Sequence, residues 1–246
     1  MKLSIIVATY NAAHHIKNLL SSIARQKNDN VELIFIDGNS TDNTVDIIKS
    51  FGMANIIISE NDLGIYDAWN KGIVVSSGEW IMFIGADDIF EDDILKFLIG
   101  YIESTEQNID YICGKSLYID GKNNVVKIFG EPPTWEQMKK WNVAAHVASL
   151  HNRRLFSEVG KFNIQYKICA DYELLLRKRE GLNYVFLDLI FARMLIGGAS
   201  YSYQAIRECF FIRRKLNTVF FFQNLFILTY SSLAFFLFKI RIRFWT

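Results

Sequence analysis

The sequence predicts an α/β fold: a doubly wound, mostly parallel sheet followed by a C-terminal membrane-associating helical tail. Three observations carry this. Short apolar, β-branched runs alternate with stretches of helical period. Each run ends in polar or acidic residues, as buried parallel strands do at the carboxyl edge where open α/β sheets bind ligands. Near the end of the chain, 23 uncharged residues, Leu216 to Phe238, stand between clusters of basic ones.

Leu3 to Ala8 is the first buried strand, ending in Thr9-Tyr10-Asn11. Ile16, Leu19, Leu20 and Ile23 then recur at helical spacing, with Asn11 as the expected helix cap. Val31 to Ile36 is the second strand. It breaks at Asp37-Gly38-Asn39-Ser40-Thr41-Asp42, a turn ahead of a helix carrying Val45, Ile48 and Phe51. Ile56-Ile57-Ile58 is the third strand, followed by Glu60-Asn61-Asp62 and a helix around Tyr66 to Val74. Trp80 to Ile84 is the fourth; it stops at Gly85, and Asp87 and Asp88 follow at once. Ile94, Phe97, Leu98, Tyr101 and Ile102 mark another helix. Right-handed crossovers place all these strand ends along one edge.

The second half differs. Tyr111 to Ile119 and Val125 to Ile128 flank Asp120-Gly-Lys-Asn-Asn124, a hairpin signal. Thr134-Trp-Glu-Gln137 has the form of a capping box. Leu155 to Val159 reads as a helix stopped by Gly160. Asp171 to Arg177 opens another that ends near Gly181. Gly197-Gly198-Ala-Ser200 is either a lid or a tight turn.

The 246 residues suffice for one large domain with an appendage, and 20 Phe are many for a freely soluble protein. The net charge of +1 hides an uneven distribution. Arg207, Arg213, Arg214 and Lys215 precede the apolar stretch, and Lys239, Arg241 and Arg243 follow it. Its Asn, Gln, Ser and Thr make a poor membrane span, so helices lying in an anionic interface are preferred to a single span. A buried helix pair fits less well, because so small a domain could not cover that many Phe side chains. Cys113, Cys169 and Cys209 support neither a disulfide framework nor a zinc motif and read as buried thiols. Met1-Lys2 leads directly into a strand without signal-peptide architecture, which places the expected catalytic part in the cytoplasm. No G-x-G-x-x-G follows the first strand and no G-K-[ST] occurs, against a dehydrogenase or P-loop kinase. Basic residues confined to an apolar tail argue against nucleic-acid binding.

Adjacent acids such as Asp87 and Asp88 repel and call for a cation, which a divalent metal on a phosphorylated substrate supplies. By themselves they could equally be first-turn acids of a helix. Asp171 could be a helix cap, Asp37 and Asp62 turn residues, and His146 a satisfied core histidine.

Taken together, Ser4-Ile-Ile-Val-Ala-Thr-Tyr-Asn11, Phe35-Ile-Asp-Gly-Asn-Ser-Thr-Asp-Asn-Thr44, Asp87-Asp88 and Ala170-Asp-Tyr-Glu-Leu-Leu-Leu-Arg177 resemble family 2 glycosyltransferases from about Leu3 to Ser200. Glu60-Asn-Asp-Leu-Gly-Ile-Tyr-Asp-Ala-Trp-Asn-Lys-Gly72 is similar to a bacterial subgroup that builds cell-surface polysaccharides of the colanic-acid or O-antigen type. The resemblance implies a GT-A fold and inverting, metal-dependent transfer from a nucleotide sugar, with UDP the expected carrier. Thr9 and Asp37 would contact uracil or ribose, Asn11 would join the donor-binding residues, and Asp62 would close the nucleotide pocket. Asp87 would lie near ribose or metal, Asp88 would hold Mg²⁺ or Mn²⁺, Asp171 would be the general base, and His146 would stand on the acceptor side. Three departures accompany this: Asp37-Gly38 replaces a double acid, Gly85 replaces the first acid of a longer acidic motif, and Trp69 replaces an Arg. The last leaves Lys71 or Arg177 to meet the phosphates.

The expected organisation is a glycosyltransferase domain over 1–205, with a nucleotide-sugar half (1–105) and an acceptor half (106–205), and a basic, Phe-rich tail over 206–246. Basic and apolar residues in that tail motivate a polyprenyl-linked oligosaccharide acceptor on the inner face of the cell membrane. The rival expectation is a non-catalytic nucleotide-sugar-binding or scaffold subunit.

Overall fold

The computed structural model describes residues 2–104 and 108–243, the side chains of 241–243 excepted. The basic residues expected at Arg241 and Arg243 therefore have side chains outside the described residues. Strands β1 (Leu3–Thr9), β2 (Val31–Asp37), β3 (Ile56–Ser59) and β4 (Trp80–Gly85) pair in parallel in the order β3-β2-β1-β4. Their crossovers carry α1 (Ile16–Ala24), α2 (Thr44–Ser50) and α3 (Ile65–Val75). The runs are apolar because both faces are covered, save for the buried pair in which Ser4 Oγ donates to Glu32 Oε2 at 2.5 Å. Leu3, Ile5 and Val7 pack with Leu33, Phe35, Met82 and the α1 side chains, whereas Ile6, Ile34, Ile36, Ile81 and Phe83 pack on α3. That alternation makes the doubly wound sandwich.

After β4 come β5 (Ile89–Phe90), α4 (Ile94–Ser104), β6 (Tyr111–Ile119) and β7 (Val125–Phe129), then α5 (Trp135–Met138), β8 (Ser149–Asn152), α6 (Arg153–Val159), α7 (Ala170–Leu176) and β9 (Tyr184–Leu195). The sheet continues β4-β8-β6-β9-β5 and turns mixed. β8 runs antiparallel to both β4 and β6, and β9 runs parallel to β6. The expected hairpin is present as β6–β7, its turn organised by Asp120, which accepts from the Lys122 and Asn124 amides. Asn152 caps α6 through the Arg154 amide, and Gly160 ends that helix at φ 83°.

The tail is two helices. α8 (Tyr203–Leu216) contributes Ala205 and Ile212 to the core around α7, so the boundary expected at 205/206 falls inside this helix. Asn217 closes α8 in the left-handed region. α9 (Phe221–Arg243) is held at its base by buried Arg213, which donates to Asn224 Oδ1 (2.7 Å) and to the Lys140 carbonyl (3.1 Å). Phe221–Ile240 is long and apolar enough to cross a membrane, and 11% of its most apolar window is buried. Phe222 is 81% exposed and Phe226 67%. Only α8 thus behaves as a helix of a buried pair, while α9 buries Ile227 and Phe235, the latter against Tyr201 and Tyr203, and leaves Phe221, Phe222, Phe226 and Phe236 exposed.

Candidate active site

Parallel register builds the first part of the site. Thr9 lies opposite Asp37, and Asp37 opposite Ser59, in one row across three strands. The Asp37 carboxylate is wholly buried and accepts from Thr9 Oγ1 (2.9 Å), Ser40 N (2.8 Å), Ser40 Oγ (2.5 Å) and Ser59 Oγ (2.7 Å). Burial alone would raise its pKa, but the donors outweigh burial and hold it below the usual carboxylate range. Thr9 and Asp37, expected to touch the nucleoside, thus spend their polar atoms on each other and on the Gly38–Ser40 loop.

Asn11 does not cap α1, which begins only at Ile16. Its Oδ1 accepts from the Thr41 amide (2.9 Å), while Ala12 N and Ala13 N donate to Thr44 Oγ1 and Asp42 Oδ2. The Asn11 side chain is therefore one stitch between the loops after β1 and β2. These loops carry Tyr10, 65% exposed, out over the sheet edge.

Both glycine departures have a spatial reason. A Cβ on Gly38 would lie 2.7 Å from Asp62 Oδ2, so Asp62 brings a carboxylate from the third strand end against the place where an acid is missing. A Cβ on Gly85 would lie 3.0 Å from Asp87 Oδ1 and 3.1 Å from Asp88 Oδ2, because the turn folds both acids back over it. Gly85 N donates to Asp88 Oδ2 at 2.8 Å. Asp88 is 4% exposed, whereas Asp87 is exposed. Burial first, and then the charge of Asp87, push Asp88 well above the ordinary carboxylate pKa.

A buried carboxylate with one backbone donor and a like charge beside it is short of positive charge. Among the described residues no three His, Cys, Asp or Glu side chains gather as a metal site. Two carboxylates with phosphate oxygens and water are nonetheless an oxygen set that suits Mg²⁺ or Mn²⁺.

Two cavities meet at Asp171. One, of about 220 Å³, is lined by Gly85, Asp87, Asp88, Lys167 and the Gly198–Ser200 turn. The other, of about 300 Å³, runs past Tyr118, Phe129 and Trp141 to Tyr201 and to Ser231 on α9. Asp171 and His146 line both. Asp171 sits in the first turn of α7, and its Oδ1 accepts from the Tyr66 hydroxyl at 2.8 Å. Burial raises its pKa, and the Tyr66 hydrogen bond offsets part of that rise.

His146 stacks on Phe83 (5.5 Å between centroids, 12° between planes) and lies 4.7 Å from Trp69. Its buried Nε2 has no hydrogen-bond partner among the described residues. Burial lowers its pKa to about 3, so it faces the cavities as a neutral ring. Thr9, Asn11, Asp37 and Asp62 line neither cavity and form a separate cluster at the strand ends.

The cations expected for the phosphates are committed elsewhere. Arg177 pairs with Glu173 and donates to the Val159 and Lys161 carbonyls (2.8 Å each). Lys71 pairs with Glu60 at 2.8 Å and bonds the Asn61 carbonyl at 2.7 Å. Lys167 instead lines the cavity of Asp87 and Asp88, its Nζ on the Leu63 carbonyl at 2.9 Å. Nothing in its local sequence singles it out; only its place four residues before Asp171 hints at it. Tyr66 was legible as part of the Glu60–Gly72 motif but not as the partner of Asp171.

The mixed sheet, with acids at the strand ends and a buried acid at a helix start, defines a GT-A glycosyltransferase fold. Residues 4–160 match the family described as Glycosyl transferase family 2. The chain belongs to that family. It is 34% identical over 179 residues to a PGL/p-HBAD biosynthesis glycosyltransferase of Mycobacterium tuberculosis (strain ATCC 25618 / H37Rv), covering 71% of this chain and 68% of the relative. Glycosyltransferase GlyG of Streptococcus pneumoniae is 31% identical over 116 residues, 46% of this chain and 38% of GlyG.

Among solved structures, S. aureus TarS 1-349 in complex with UDP-GlcNAc superposes with a TM-score of 0.64 at 19% identity, over 86% of this chain and 66% of TarS 1-349. A Pyrobaculum calidifontis mannosyltransferase in complex with GDP-Man and Mn²⁺ gives 0.67 at 15% identity, over 89% and 65%. The likeness to these structures is one of fold, and the chain spans less than two thirds of either one.

Proposed function

We propose that this protein is an inverting, metal-dependent glycosyltransferase that moves a sugar from a UDP-linked donor to a polyprenyl-linked oligosaccharide on the inner face of the cell membrane. The carrying observation is Asp171 at the junction of two unlike cavities, one acidic with a lysine, the other largely apolar and reaching α9. The nucleoside lies on the loops that Thr9, Asn11 and Asp37 hold, beside Tyr10 and Asp62, and the diphosphate lies toward Asp87, Asp88 and Lys167. Asp88, with Asp87, would hold Mg²⁺ or Mn²⁺, which would neutralise charge on the diphosphate.

Asp171 takes the acceptor hydroxyl proton as that oxygen bonds the anomeric carbon. The anomeric carbon–oxygen bond to the diphosphate breaks, its electron pair leaving on the phosphate. One displacement inverts the centre and needs no second carboxylate. The UDP-GlcNAc of the TarS complex supports the UDP carrier, the GDP-Man and Mn²⁺ of the mannosyltransferase complex support only a nucleotide sugar with a divalent metal, and the similar motif supports the surface-glycan context; exposed Phe220, Phe222 and Phe226 support the membrane part.

The test is transfer by the full chain with Mn²⁺ from UDP-glucose, UDP-galactose or UDP-GlcNAc to a polyprenyl-diphosphate-linked sugar in anionic vesicles. Turnover with one donor, lost in Asp88→Ala and Asp171→Asn, is expected. UDP binding by calorimetry without turnover of any of these would instead identify a non-catalytic binding subunit.

A further inference from the structure

We propose that Glu208, on the first tail helix, is a positioning residue for the base, and that it acts through Tyr66; this rests on reading Asp171 as that base. Three consecutive amides ahead of α7 converge on the Glu208 carboxylate. Lys167 N donates to Oε1 at 2.8 Å, and Ile168 N and Cys169 N donate to Oε2 at 2.9 Å each. The same loop is tied on its other side by the Lys167 ammonium on the Leu63 carbonyl, just before α3. It therefore bridges the tail and the donor half of the molecule.

The loop sets a shared hydrogen bond at the base. Tyr66 Oη lies 2.6 Å from the Ile168 carbonyl and 2.8 Å from Asp171 Oδ1. One hydroxyl proton serves two acceptors, and both lie on or beside the stretch that Glu208 holds, so the position of that stretch sets the geometry at Asp171 Oδ1. The ring itself does not wander: Tyr66 is 5% exposed and packs 5.4 Å from both Trp69 and Phe162. What remains adjustable is the loop, and Glu208 holds three of its donors. Without Glu208 those amides lose their acceptor, the stretch that leads into Asp171 shifts, and Oδ1 loses its alignment with the Tyr66 hydroxyl and the aim of the carboxylate into the cavity. The tail thereby serves chemistry as well as attachment. α8, which precedes α9, carries Glu208 and meets the same loop again where Cys169 Sγ lies 3.5 Å from the Ala205 carbonyl and from Cys209 Sγ.

The experiment is steady-state transfer with the UDP-sugar that turns over above, together with hydrogen exchange of the amides of Lys167, Ile168 and Cys169 in the full chain. Glu208→Ala and Tyr66→Phe are each expected to lower kcat about tenfold or more, the worth of a hydrogen bond to a charged group. The donor KM should stay within about twofold, and the double variant should be no slower than the slower single one, because both act on one bond. Glu208→Gln, which keeps one acceptor oxygen, should recover part of the rate, and it carries the test if Glu208→Ala melts early. Exchange of the three amides should quicken in Glu208→Ala and not in Asp171→Asn, a reading that needs no turnover. Wild-type exchange in Glu208→Ala, unchanged kcat, a loss confined to KM, or additive losses in the double variant would each overturn the proposal. Asp171→Asn separates the two readings. If it is inactive while Glu208→Ala and Tyr66→Phe keep wild-type rates, only the present inference fails; if it keeps full activity, the base assignment itself fails.

Discussion

Asp37 and Asp88 are both buried, both stand at the carboxyl end of a parallel strand, and they behave in opposite ways. Asp37 receives four hydrogen bonds, and its pKa is held down in spite of burial. Asp88 receives one from the Gly85 amide, faces the charge of Asp87, and its pKa is driven up. One carboxylate is complete within the protein; the other is left short of positive charge. The difference separates an acid that builds the site from an acid that waits for something to enter it, and position at a strand end alone does not distinguish them.

The comparison is sharpest at its extremes. Asp88→Ala should cost about a hundredfold or more in transfer, the scale of a metal's contribution to charge stabilisation, as read from initial rates with Mn²⁺. Metal-free thermal melting of the same variant should show no loss of stability, because an uncompensated buried charge has been removed. A clear drop in its melting temperature would sink the contrast.

Asp37→Ala should do the reverse in the melting experiment. It strands four donors at about 1–3 kcal/mol for each one left unsatisfied in the interior, with relaxation making the sum smaller. Urea titration reads this.

The pH dependence follows with opposite signs. Asp37, depressed in the folded state, contributes stability that is full above its unfolded pKa and is lost as pH falls through the folded value. Asp88, raised in the folded state, detracts from stability above its folded pKa, and acidification through that value relieves it. The melting difference between metal-free wild type and Asp88→Asn should therefore shrink as pH falls from neutrality, before the contribution of Asp37 is lost.

A smaller effect is expected at Asp171. The base must be ionised and its pKa is raised, so kcat/KM should fall with acid at a pH above the ordinary carboxylate range. Tyr66→Phe removes a hydrogen bond to the ionised form and should move that limb higher still. A limb that stays in place, or moves down, would show that Tyr66 does not touch the proton that matters.

Much of the fold was legible because burial on both faces leaves a mark on sequence. The first four strands are apolar runs interrupted only near the starts of the first two, at Ser4 and Glu32, and their helices keep a 3.6-residue period, as at Ile16, Leu19, Leu20 and Ile23. The antiparallel insertion of β8 was not legible, since Ser149-Leu-His-Asn152 is short and mostly polar. In the candidate site, Asp88 and Asp171 were singled out by adjacency, strand end and motif, whereas Arg177 misled: Glu173, one turn back, and the Val159 and Lys161 carbonyls, 18 and 16 positions back, satisfy it away from the cavity. Asn11 misled for a similar reason, since a residue suited to cap a helix is equally suited to bond a neighbouring loop.

What the sequence determined by itself is the order of strands and helices, the acids at the strand ends and the apolar tail, because these depend on residue type at short spacing. Tertiary structure alone decided which acid is satisfied. The row Thr9–Asp37–Ser59 exists only through strand register, the fit of Asp62 over Gly38 only through loop packing, and the hold of Glu208 on the base loop only through docking of α8. A carboxylate's charge is set by the donors within about 3 Å of it. Two of the four donors on Asp37, and the three amides on Glu208, came from residues 22 to 41 positions away along the chain, a separation over which no local pattern carries information.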